Sequence, residues 1–144
     1  PASTKAAMPQ SSSSQCVTSA LAMASTGLLM PSESDFPFTP FRWAGAAKRN
    51  FTTARLLGLT GHAPGTAVAV VTLDDFFRNV AHHQSWHDPQ QARDVRKFQR
   101  LVRVLERHLT DIRVYRVGTI RIDAYIVGRC GGSLAGLSTT LIET

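Results

Sequence analysis

The stretch from 89 to 109 constrains this chain more than any other. Val95, Phe98, Val102, Leu105 and Leu109 recur at spacings of three and four and make one apolar stripe. Asp88 stands where an N-cap belongs. Pro89 takes the first helical position, where its missing N–H costs nothing. A helix of this length with one apolar side must bury that side against other elements. Directly after it, 112–117 and 120–127 read as two strands, with Gly118 and Thr119 giving a tight hairpin turn.

The rest of the chain supplies partners for that helix. Val17, Leu21, Ala24 and Leu28 are spaced helically, Gly27 sits where such a helix ends, and the helix closes before Pro31. Residues 31–40 hold three prolines and read as irregular, yet Phe36, Phe38, Phe41 and Trp43 are too apolar for a free linker, so an ordered loop pinned by aromatics is expected. Thr52 or Thr53 caps a short helix through Leu59, stopped by Gly61 and Pro64. Residues 67–71 form a short β-branched run, expected as a buried strand, and a brief helix follows over 73–80. The glycines from 128 to 136 read as connecting turns that lead to a last strand over 137–142. The sum is a layered α/β fold of about four strands with helices on both faces.

A chain of 144 residues fits one domain, expected over 16–144, behind a disordered Ser- and Ala-rich tail over 1–15 that contains no acidic residue. That tail suits a remnant of processing or the end of an organelle transit peptide, so the expected compartment is cytoplasmic or, alternatively, a plastid. No apolar run approaches the roughly 20 residues that cross a bilayer, and no membrane partner is expected. Cys16 and Cys130 lack C-x-x-C spacing and are expected as free thiols, one in the first helix and one at a strand end. Sixteen Lys and Arg against ten Asp and Glu give +6, which favours acidic partners without choosing among them.

Catalytic constellations are weak. No G-x-S-x-G elbow, zinc-protease helix or phosphate-binding glycine loop is present, and no enzyme is expected. His82, His83, His87 and Asp88 resemble a metal cluster only superficially, because adjacent histidines do not readily face one ion and Asp88 is used as a cap. Four other places carry more. Glu33, between Ser32, Ser34 and Asp35, is either part of a polar turn or a carboxylate held out rigidly for a partner. Gln84 and Trp86 either plug the core edge or anchor an interface. Arg93, Arg96, Lys97, Arg100, Arg103 and Arg107 lie within about a third of the circumference of the long helix, as a solvated face or as a phosphate-binding stripe. Thr144, directly after a strand, either merely ends the sequence or presents a hydroxyl and a carboxylate, hard oxygen donors for Mg²⁺ or Ca²⁺.

The ordered segments Gly27-Leu-Leu29, Pro31-Ser-Glu-Ser-Asp-Phe-Pro-Phe38, Leu59-Thr-Gly-His62, Asp74-Asp-Phe-Phe77 and Gln84-Ser-Trp-His87 resemble the nuclease A inhibitor family. The match continues through Leu109-Thr-Asp-Ile-Arg-Val-Tyr-Arg-Val-Gly118, Ala135-Gly-Leu-Ser-Thr139 and Glu143-Thr144. The resemblance implies a three-layer α/β/α sandwich of the pathogenesis-related type, monomeric when free, that blocks a non-specific ββα-metal nuclease. It implies that Glu33 enters the nuclease site, that Gln84 and Trp86 contact the enzyme, and that Thr144 reaches the nuclease's own metal. No cofactor of this chain is implied; a divalent metal of the partner bridges the complex. One departure is clear: the family's inhibitors are acidic, whereas this chain is +6. Either its nuclease is a different, more acidic one, or the scaffold serves another partner. The competing reading is a nucleic-acid-binding module that uses the basic helix.

Overall fold

The computed structural model describes residues 17–48, 50–78, 81 and 89–143. Cys16, Gln84, Trp86, the expected cap Asp88, Thr144 and the expected N-terminal tail lie outside the described residues. The elements in chain order are α1 (17–25), β1 (Leu29–Met30), β2 (Phe36–Pro37), β3 (Thr39–Trp43), a 3₁₀ turn (Ala46–Lys48), α2 (Thr53–Thr60) and β4 (Val68–Val71). Then come α3 (Leu73–Phe77), α4 (Pro89–His108), β5 (Thr110–Val117), β6 (Arg121–Cys130) and β7 (Ser133–Ile142). Local chemistry explains several ends. Thr52 accepts the Arg55 N–H at 3.2 Å and Gly61 closes α2 at φ +75°, while Thr72 accepts the Asp75 N–H at 3.0 Å to open α3.

Five strands form one antiparallel sheet in the order β3-β7-β6-β5-β4, and β1 pairs with β2 in a separate two-stranded ladder. The expected count of four strands was therefore low. The aromatic stretch expected as an irregular loop contains both β2 and β3, because prolines are tolerated at sheet edges, where a missing N–H breaks no ladder. Pro40 sits on edge strand β3, opposite Leu137. At the other edge β4 has one partner only, and Val70 is 51% exposed. A β-branched run specifies a strand, but burial depends on neighbours, so the expectation of a buried strand was wrong there.

Alternation along the strands divides the apolar residues between two clusters. Ala124 and Ile126 of β6 join Leu21 of α1, Phe77 of α3 and Phe98, Leu101 and Leu105 of α4. Their neighbours Tyr125 and Val127 face the second cluster, which contains Leu56 and Leu57 of α2. Leu101 is fully buried and takes the central position that the spacing assigned to Val102, which is only partly buried. Fully burying a side chain such as Phe98 stabilises by about 1.5–3 kcal/mol.

Two glycines expected in turns are strand residues. A Cβ on Gly136 of β7 would lie 1.6 Å from the Ile126 carbonyl oxygen, and one on Gly128 of β6 would meet the Leu109 Cβ at 2.6 Å. Only Gly131 and Gly132 make the β6–β7 turn, with Gly131 at φ +61°.

Along α4, Arg93 adjoins Arg96 and Lys97, Arg96 and Lys97 both adjoin Arg100, and Arg103 adjoins Arg100 and Arg107. Like charges at such spacings each destabilise a helix by about 0.2–0.5 kcal/mol. The buried side of α4 holds the helix in spite of them. No helix among the described residues is long and apolar enough to cross a membrane.

Candidate functional site

Strands β1 and β2 pair as Leu29 with Pro37 and Met30 with Phe36, which turns residues 31–35 into the tip of a small hairpin. The hairpin is fixed at its base. The buried hydroxyl of Thr139 donates to the carbonyls of Phe36 at 3.3 Å and Pro37 at 2.9 Å. Met30 and Phe38, on either side, are buried in the first apolar cluster, and the Phe38 ring lies 6.1 Å from that of Phe77.

The tip is fixed as well, and to the last described strand. Ile142 donates its N–H to the Ser32 hydroxyl at 3.0 Å and accepts the Glu33 N–H at 3.3 Å. Ser32 in turn donates to the Ser34 carbonyl. Glu33 thus stands exposed on a loop whose backbone is bonded two residues before Thr144. Glu143 is held by its own N–H on the Ile120 carbonyl at 2.9 Å and by an ion pair with Arg116 at 2.6 Å. Two segments more than a hundred residues apart become one rigid edge.

An open cleft of about 670 Å³ lies along this edge. Met30, Phe76 and Leu141 give it apolar surface, while Glu33, Asp75, Glu143 and Arg116 supply its charges. Glu143 is paired with Arg116 and Asp75 with Arg78, so the cleft is only mildly acidic in a chain that is +6 overall. Screening limits exposed charges to a range of about 10 Å, so the local balance governs what docks here. The six cations of the long helix are elsewhere: Arg93, Arg96, Lys97, Arg100, Arg103 and Arg107 are all exposed on α4, and among the described residues none pairs with a carboxylate. No group of three or more His, Cys, Asp or Glu among the described residues could hold a metal ion. Cys130 is a free thiol at the end of β6.

A second polar cluster went unnoticed in the sequence. His62 Nε2 lies 3.3 Å from Asp123 Oδ2 and 3.1 Å from the Tyr125 hydroxyl, and Thr140 donates to Asp123 at 3.3 Å. Burial pushes the Tyr125 hydroxyl above its ordinary pKa, Asp123 adds to that shift and a hydrogen bond with Thr60 opposes it. The cluster ties the end of α2 to β6. Only the alternation of Asp123 and Tyr125 on one side of a strand could have signalled it.

The hairpin tip, the acidic cleft and the pinned end of β7 occur in a chain whose residues 15–144 match the family model of nuclease A inhibitor-like proteins. No curated protein matches the chain. The family match spans all the described elements, and on that ground the chain belongs to the nuclease A inhibitor-like family.

Proposed function

We propose that this protein inhibits a non-specific ββα-metal endonuclease by laying the hairpin tip and residues 143–144 over the nuclease's metal site. The observation that carries this reading is the pair of hydrogen bonds through which Ser32 and Glu33 grip Ile142. They hold a carboxylate and the end of β7 at one edge before any partner arrives, so little ordering entropy is lost on docking. In the proposed complex the Glu33 carboxylate takes the place of the scissile phosphate, and the Thr144 oxygens reach the divalent ion of the nuclease. Gln84 and Trp86 are assigned to the surrounding contact. In this reading the metal belongs to the partner and this chain performs no catalysis. The scaffold is read as a three-layer α/β/α sandwich of the pathogenesis-related type, a monomer when free.

The cleft beside the docking edge is mildly acidic despite the +6 total, a sign suited to a metal- and phosphate-binding site and in keeping with this reading. Binding to a ββα-metal nuclease, measured by calorimetry with Mg²⁺ and again with a chelator, tests the assignment. The wild-type chain should bind in both conditions, and removing Thr144 should weaken binding about 10-fold or more only when Mg²⁺ is present. An equal effect of that deletion with and without metal would refute the proposed contact.

A further inference from the structure

We infer that the exposed face of α4 is a second binding surface, one that takes the phosphate backbone of duplex nucleic acid and lies apart from the acidic edge. An ordinary solvated helix face interleaves charges of both signs. This one does not. Between Arg93 and Arg107 every exposed position within a third of the circumference is a cation, and Asp94 and Glu106 fall outside that sector. Not one of the six is engaged by a carboxylate among the described residues; Arg93 instead donates to the Gln90 side-chain oxygen at 2.7 Å. Repulsion within the stripe opposes the helix, so folding alone does not account for it.

The geometry selects the partner. Fourteen residues separate Arg93 from Arg107, about 21 Å at the rise of an α-helix. At about 3.4 Å of duplex axis per phosphate on one strand, that length runs alongside about six base pairs, enough for several of the six cations to reach phosphates. The sector contains no aromatic side chain for stacking and no amide for base edges, which points to sequence-independent contact with a duplex rather than to a single strand. Glu33, Asp75 and Glu143, by contrast, line the cleft, none of whose lining residues belongs to α4.

Fluorescence anisotropy with a labelled duplex of about 20 base pairs, read from about 50 to about 200 mM salt, tests this directly. The expected slope of log affinity against log salt is about −3 to −5, a loss of roughly 10²–10³-fold over that range. The variant Arg96→Gln/Arg100→Gln/Arg103→Gln should reduce the slope by about 3 while circular dichroism and the melting temperature show an intact fold. Glu33→Ala and removal of Thr144 should leave duplex binding unchanged, so failure here and failure of the inhibitor reading are separate results. No binding at about 50 mM salt, or a triple variant equal to wild type, would overturn the inference. So would preferential capture by vesicles rich in phosphatidylserine at a salt concentration where the duplex is released, since the face would then be a membrane contact.

Discussion

Replacing Ser32 with Ala removes a hydroxyl that accepts from Ile142 at 3.0 Å and donates to the Ser34 carbonyl. The Ile142 N–H is part-buried, so after the substitution it is left poorly satisfied. One lost hydrogen bond is worth about 0.5–1.5 kcal/mol, and an unsatisfied buried donor raises the penalty toward about 1–3 kcal/mol. Because the site is only part-buried, about 1–2 kcal/mol is the expected cost. That cost falls on docking of the hairpin tip and leaves the sheet, which is held by its own ladder, largely intact. Native-state hydrogen exchange reads it out: the amides of Glu33 and Ile142 should exchange about 5- to 30-fold faster, while those of β6 are unchanged. Ser34→Ala is the control, since Ser34 contributes its backbone carbonyl and that group survives the change. Inhibition should weaken in Ser32→Ala by a similar factor. If the Ile142 amide exchanged at the wild-type rate in Ser32→Ala, the claim that this hydroxyl pins the hairpin tip would be refuted.

Other perturbations follow from the same geometry. Gly136→Ala forces a Cβ to within 1.6 Å of the Ile126 carbonyl oxygen, a backbone clash that should destabilise by about 3 kcal/mol or more in urea denaturation. Phe98→Ala in the first apolar cluster should cost about 3–5 kcal/mol by the same measurement. The triple glutamine variant of α4 removes five like-charge neighbours, those joining Arg96, Arg100 and Arg103 to each other or to Arg93, Lys97 and Arg107, and should melt at an equal or higher temperature, with a gain of up to about 2 kcal/mol at low salt. Burial raises the Tyr125 pKa above its ordinary value of 10.0, so the folded state holds that proton more tightly than the unfolded one. This contribution is fully present below pH 10.0 and is lost as pH rises through the folded pKa, and the urea midpoint should fall between about pH 9 and about pH 11 less steeply in Tyr125→Phe than in wild type.

Local rules read from the sequence succeeded where local chemistry decides the outcome. The cap at Thr52, the proline opening α4 and the apolar stripe through Phe98 and Leu105 all sit as their spacing requires. They failed where tertiary neighbours decide. Strands β1 and β2 are two residues each and hold or adjoin prolines, so no periodicity marks them. Val70 lies on an edge, and Gly128 and Gly136 are glycines because of what approaches them, which no turn signal reveals. The contact between the hairpin tip and Ile142 spans 110 residues and could not be seen in the sequence, although Glu33 itself was singled out for its rigid setting. Net charge alone says little about the site in the same way, since the cleft beside Glu33 is mildly acidic although the chain is +6 overall. Gln84, Trp86 and Thr144 lie outside the described residues, and their roles rest on the family resemblance.

Cleavage of plasmid DNA by a ββα-metal nuclease, titrated with this protein, tests the central claim most directly. Wild type should suppress cleavage at near one-to-one stoichiometry, and Glu33→Ala or loss of Thr144 should raise the concentration required about 10²-fold or more. Full cleavage at saturating wild-type protein across several such nucleases, or inhibition unchanged in both variants, would contradict it.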